Sequence, residues 1–211
     1  MESHYNATYT YNHSNVKAYC RCNGESNCKD ASDENDCHIV EKSSSYQKHI
    51  APPPNNDDSE HFINVSINVM NVQEIHEMDA KFQVQFWIII TWFDKRLSFN
   101  HLKENKNFMI LEYEEMHNIW SPKIVFYNTE KKLSSKIDED TRMVVKKQGL
   151  FTLSTMDKIE NRRNFQGSKN YLEKSIFYNM NFMCDFDMSW YPFDSQQCSL
   201  MIQLHGEYLV R

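Results

Sequence analysis

An all-β fold, an antiparallel β-sandwich preceded by a small disulfide-rich module, is what the sequence predicts, and three observations predict it. Apolar residues recur at every second position in the middle of the chain. The segments that do so are short and separated by turn-rich stretches, which favours antiparallel pairing over alternating βαβ units. Four of the six cysteines crowd into residues 20–37, ahead of all the alternating segments.

In chain order, residues 1–38 are polar and hold Cys20, Cys22, Cys28 and Cys37, so they read as the disulfide module. Residues 39–60 contain Ser43-Ser44-Ser45 and Pro52-Pro53-Pro54 followed by Asn and Asp, the composition of a linker. Residues 61–211 read as the sandwich. There Ile63, Val65, Ile67 and Val69 alternate with Asn64, Ser66 and Asn68. Phe82, Val84, Phe86, Ile88, Ile90 and Trp92 line one face of a second strand, and Lys81, Gln83, Gln85 and Thr91 mark the other. Further strands are expected at Lys123–Phe126, Met143–Lys146, Leu150–Thr155, Phe177–Asp187 and Ser199–Leu204. Trp87 falls on the polar face of the second strand, out of phase with the core. An aromatic there is a surface residue, an interface anchor or part of a pocket.

Composition excludes several function classes. With 13 Phe, 11 Tyr and 4 Trp against only 4 Gly and 5 Pro, the 211 residues can bury a sizeable core. A formal charge of −6, with basic pairs isolated at Lys131-Lys132 and Lys146-Lys147, speaks against a nucleic-acid surface. No Ser/His/Asp or Cys/His constellation, glycine-rich phosphate loop or His-Glu-x-x-His run occurs, so no enzyme is expected. No stretch approaches the roughly 20 apolar residues that cross a bilayer. The N-terminus lacks the basic start and apolar middle of a secretory leader, yet an even cysteine count favours an oxidising compartment. Three Asn-x-Ser/Thr sequons, at Asn6, Asn12 and Asn64, agree with it. Met1 is therefore expected either not to be the natural start or to follow a missing leader.

The most specific motif is Cys184-Asp-Phe-Asp-Met-Ser-Trp-Tyr-Pro-Phe-Asp-Ser-Gln-Gln-Cys198. A disulfide closing a loop of this size contributes on the order of 3 kcal/mol through the unfolded chain. Pro192 after Tyr191 suits a cis peptide in a tight turn. Trp190 and Phe193 give the loop an apolar tip; the spacing by itself fits a stapled β-connection equally well. Two cysteines around thirteen residues, with Tyr191-Pro192-Phe193-Asp194 and Gln196 inside, resemble the signature loop of the Cys-loop, pentameric ligand-gated ion channels. Trp92-Phe93-Asp94-Lys95-Arg96-Leu97 is similar to that family's Trp-x-Asp-x-x-Leu. Ile119-Trp120-Ser121-Pro122-Lys123-Ile124-Val125-Phe126-Tyr127-Asn128 is similar to its Trp-x-Pro-Asp segment, and Gly149-Leu150-Phe151 stands before the loop's hairpin. The resemblance covers about residues 61–208.

What the resemblance implies is a ten-strand sandwich with a short N-terminal helix, assembled as a homo- or hetero-pentamer. A small neurotransmitter-like agonist would bind at subunit interfaces, and the loop of Tyr191, Pro192, Phe193 and Asp194 would couple binding to a pore. It further implies that the chain stops at Arg211 before the last three strands, with the membrane region in a missing C-terminal part. The cellular place would be the extracellular side of the plasma membrane. Trp87, five before Trp92, matches the pocket tryptophan of the complementary face in acetylcholine-type members, and Tyr127 matches a tyrosine of the principal face. Both could cage an amine by cation–π attraction, about 1–2 kcal/mol each when desolvated. Ile89 stands where amino-acid-gated members place an arginine, and Lys123 replaces the usual Asp. His205, seven after Cys198, stands where acetylcholine receptors carry a principal tryptophan. It would make the site pH-sensitive or metal-binding, or be an ordinary strand residue.

Cys22-Asn-Gly-Glu-Ser-Asn-Cys28-Lys-Asp-Ala-Ser-Asp-Glu-Asn-Asp-Cys37 resembles the C-terminal half of an LDL-receptor class A module, which binds one Ca²⁺. Asp33 and Glu34 match its closing acidic ligands, whereas Asn23 and Asn27 replace two carboxylates and weaken a hard-cation site. The module's pairing implies Cys22–Cys37, leaving Cys20 for Cys28. A different class of reading is a secreted soluble binding or adhesion protein of the same fold, in which the sheet edge left at the C-terminal end would be a liability.

Overall fold

The computed structural model describes residues 8–11, 14–17, 22, 26–31, 34, 37–54, 62–102, 107–129, 133–134, 141–148, 152–153, 163–205 and 209–210. Asn6, Asn12, Cys20 and Asp33 lie outside the described residues.

In chain order the strands are β1 (Thr8–Tyr11), β2 (Ser14–Lys17), β3 (Val40–Lys42), β4 (Phe62–His76) and β5 (Lys81–Trp92), then β6 (Leu97–Phe99) and β7 (Phe108–Ile110). A short helix, α1 (Tyr113–Asn118), precedes β8 (Lys123–Phe126), β9 (Leu133–Ser134), β10 (Arg142–Lys146), β11 (Thr152–Leu153) and β12 (Arg163–Gln166). The chain continues with β13 (Tyr171–Met183), β14 (Ile202–His205) and β15 (Leu209–Val210). A six-stranded sheet runs β15-β4-β5-β13-β10-β7, a four-stranded one β11-β12-β6-β3, and a three-stranded one β14-β8-β9. All pairings are antiparallel except the two-residue contact of β15 with β4.

The period-two reading of β5 is borne out along its whole length. Phe82, Val84, Phe86, Ile88, Ile90 and Trp92 are buried and every residue between them is half-buried. Burying each such side chain stabilises the fold by about 1.5–3 kcal/mol. The three-stranded sheet closes over this face through Phe126, whose ring meets Phe86, Tyr178 and Phe182 with centroids 4.9 to 6.1 Å apart. Trp92 and Trp120 meet edge to face at 6.0 Å.

Several boundaries differ from the expectation. β4 runs to His76 because register shifts between Val69 and Asn71 and between Val72 and Ile75 absorb residues that break strict alternation. β13 begins at Tyr171, six residues before the expected start, and ends at Met183 rather than Asp187, where the disulfide loop takes over. The α-helix found among the described residues is α1, in mid-chain. Glu115 of that helix is buried and accepts the backbone N–H groups of Ile39 (2.6 Å) and Val40 (2.9 Å) through one oxygen and that of Glu112 (3.1 Å) through the other. Within the stretch read as a linker, Val40–Lys42 pairs with β6, so this carboxylate pins residues 39–40 to the sandwich.

The Trp92-x-Asp94-x-Arg96-Leu97 motif folds into a tight corner after β5. Gly167 N–H donates to Leu97 O (3.0 Å), and a Cβ on Gly167 would lie 2.2 Å from Asp94 O and 2.8 Å from Leu97 O. Only glycine leaves room for this approach of two backbones.

Candidate functional site

Trp87 sits at the middle of β5, opposite Asn68 of β4 and Phe177 of β13. Since Phe86 and Ile88 on either side point into the core, pleating turns Trp87 to the outward face of the large sheet. There it is half-buried against Phe177, ring centroids 5.3 Å apart. Phe177 was missed as a site residue. Its signal was the same as that of Trp87, an aromatic out of phase with buried Ile176.

Tyr127 follows β8. Ile124 and Phe126 are buried, so Tyr127 turns outward from the small sheet, where it is 48% exposed. Its hydroxyl donates to Gln203 Oε1 at 2.6 Å, and its N–H donates to Met201 O at 3.0 Å. His205 pairs in register with Lys123 at the far end of β14. By strand alternation it occupies a position on the same face as Gln203. Tyr127 and His205 thus share the small sheet, about four residues and roughly 13 Å apart along the strand. Trp87 belongs to the outward face of the other sheet. Across the core layer, the two aromatic candidates face away from each other.

The loop at Cys184–Cys198 is bridged, and the Tyr191–Pro192 peptide is cis. Its tip exposes Trp190 (78%), Tyr191 and Phe193 (92%), a contiguous apolar surface. Its interior is tied by polar side chains. Asp187 N–H donates to Gln196 Oε1 (3.0 Å) and Gln196 Nε2 donates to Asp187 O (2.9 Å) and to the Asp194 carboxylate. The Ser189 hydroxyl and then its N–H, both donating to Asp187, hold that exposed carboxyl below its ordinary range.

Asn128 joins this loop to Tyr127. Its Nδ2 donates to Met183 O (3.2 Å) and Ser199 O (2.7 Å), the residues just outside the two cysteines, and its Oδ1 accepts from Met201 N–H (2.8 Å). Met183 N–H donates back to Asn128 O at 2.7 Å. One amide, next in sequence to Tyr127, therefore closes the base of the disulfide loop. The sequence motif contained Asn128, but no spacing rule gave it this role.

At the N-terminal end Cys22 and Cys37 are bridged, and Cys28 is buried. Glu34 is half-buried with its N–H on Ala31 O (3.1 Å). Among the described residues no group of three or more His, Cys, Asp or Glu is placed to hold a metal ion. Asn64 is described and exposed on β4. Among the described residues no helix is long and apolar enough to cross a membrane.

Residues 33–162 match the sequence profile of the neurotransmitter-gated ion-channel ligand binding domain, 130 of the chain's 211 residues. The chain belongs to that family. Among its relatives is an alpha-type acetylcholine receptor subunit of Caenorhabditis elegans, 27% identical over 139 residues, which cover 65% of the chain and 22% of the relative. A serotonin-gated chloride channel of the same organism is 24% identical over 68% of the chain and 25% of its own length. The gamma-aminobutyric acid receptor beta-4 subunit of Gallus gallus is 23% identical over the same two shares. The chain thus matches about a quarter of the length of these curated relatives. As a ligand-binding domain of this family it is not an enzyme, and its nearly all-antiparallel sandwich is the fold expected of it.

Proposed function

We propose that this chain is the extracellular agonist-binding part of a neurotransmitter-gated channel subunit. In this reading, agonist binds between two neighbouring copies or subunits of a pentameric ring. One neighbour presents the outward face holding Trp87 and the other the face holding Tyr127, with His205 further along the same sheet. The observation that carries the reading is that Trp87 and Tyr127 turn outward from different sheets of one sandwich. A single chain cannot close an aromatic cage with both, whereas two chains side by side can.

The agonist class this supports is a cationic amine. Two outward-turned aromatic rings, one half-buried and one exposed, attract a desolvated cation, and Ile89 offers no guanidinium for a ligand carboxylate. Binding would tighten the loop after β8. Asn128 would carry that shift to Met183 and Ser199 at the root of the disulfide loop, whose apolar tip of Trp190, Tyr191 and Phe193 would press on the membrane region of the complete subunit. Such coupling is a population shift and requires tighter agonist binding to the open state.

Titration of the assembled protein with acetylcholine, read by tryptophan fluorescence, tests the agonist class. The expected result is saturable quenching that Trp87→Ala weakens about 5- to 30-fold, the equivalent of ~1–2 kcal/mol. Saturable binding of glutamate that acetylcholine does not displace, or acetylcholine affinity unchanged in Trp87→Ala, would overturn it.

A further inference from the structure

The outward face of the large sheet divides in two along its strands. Around Trp87 and Phe177 it is aromatic. Toward the start of β4 it is built of small polar groups: Asn64 lies opposite Thr91, and Ser66 lies opposite Ile89, which in turn faces Ser175 of β13. Asn64, Ser66 and Asn68 are all exposed. Asn64-Val65-Ser66 is an Asn-x-Ser sequon, and the strand places its exposed asparagine and serine on one face. Two disulfides, Cys22–Cys37 and Cys184–Cys198, mark a chain that folds in the oxidising secretory route, the compartment where sequons are modified.

We propose that Asn64 carries an N-linked glycan that stands on this face of β4. The donor class is a lipid-pyrophosphate-linked oligosaccharide. Asn64 Nδ2 forms the bond to the anomeric carbon, the pyrophosphate leaves with the electron pair of the broken C–O bond, and the amide nitrogen gives up one proton. No redox partner is needed. The glycan rests on the sequon, the strand geometry and the secretory route that the two disulfides mark. Its consequence rests on the interface reading above: Asn64 is four residues, about 13 Å, from the level of Trp87 along β4. A sugar there keeps the β4 flank in solvent, so a neighbour covering Trp87 approaches across β13.

The test uses the chain passed through the secretory pathway of a eukaryotic cell, with Asn6→Gln and Asn12→Gln removing the other sequons. Electrophoretic mobility is compared before and after peptide N-glycosidase. One discrete mobility step is expected in that background and in Ser66→Thr, which keeps the sequon. It should be absent in Ser66→Ala and in Asn64→Gln. No step in the secreted Asn6→Gln/Asn12→Gln protein, or a step that survives Ser66→Ala, overturns the proposal. The readout is mass, so it fails or succeeds independently of whether acetylcholine binds.

Discussion

Asp94 is 1% exposed, yet its carboxylate accepts four hydrogen bonds: from the backbone N–H, Nε and Nη2 of Arg96 and from the hydroxyl of Tyr46. A buried carboxylate is tolerable only when its lone pairs are met in this way. Tyr46 extends the network. Its hydroxyl accepts the Trp120 N–H at 2.8 Å, and the Arg96 guanidinium lies 4.7 Å above its ring. Burial, more than the neighbouring Asp94 charge, pushes the Tyr46 hydroxyl up to about 12 from its ordinary 10. The folded state therefore holds the proton that the unfolded chain releases near pH 10. The stabilisation is complete below that pH and is lost as pH rises through about 12. Tyr46→Phe should cost about 1–2 kcal/mol near neutral pH for the lost hydrogen bonds. Denaturant titration of both proteins at pH 8 and at pH 11 checks this, since the gap should narrow at the higher pH. A gap independent of pH would show that the hydroxyl is not held neutral by the fold. Asp94 and Arg96 were legible in the Trp-x-Asp-x-x-Leu pattern. Tyr46 was not, because it lies 48 residues from its partner in a stretch whose Ser and Pro content reads as linker.

Strand identity was legible wherever one face is buried and the other is not. β5 stands where the alternation put it, because a one-residue slip would turn its six core side chains to solvent. Short strands such as β3, β6, β7 and β12 were not legible, since three or four residues carry too little alternation to distinguish from a turn. The disulfide loop was read from its cysteines, but the amide that closes its base was not. Asn128 tests how much that base depends on one side chain. Asn128→Ala removes two donated bonds and one accepted bond, about 1–3 kcal/mol in sum. Asn128→Asp keeps the acceptor for Met201 N–H but faces a carboxylate toward the carbonyl oxygens of Met183 and Ser199. The aspartate variant should therefore be the less stable of the two in thermal or denaturant unfolding at pH 7. Equal stability, or a more stable aspartate, would mean that the amide's donors do not hold the loop.

At the scale of the molecule, the core face is unevenly covered. Phe82, Phe86 and Ile88 are buried, but Ile67, Val69, Val72 and Ile75, which pair beside β5 on that same face, are exposed. The small sheet reaches Phe86 through Phe126. An open apolar strip of this kind is a surface that takes a further segment or partner. The outward faces carry the functional argument. Out-of-phase placement of Trp87 was visible in the sequence, whereas the turning of Tyr127 to the other side of the sandwich needed the layer order. The claim that one binding site takes residues from two copies is tested most directly by cross-linking. One chain carries Trp87→Cys, a second carries Tyr127→Cys, and both are treated with a short bismaleimide separately, mixed, and with both substitutions in one dilute chain. A covalent dimer formed in the mixture and in neither single variant is the expected result. An intramolecular link in the doubly substituted monomer, or no dimer in the mixture, would contradict a site shared between subunits.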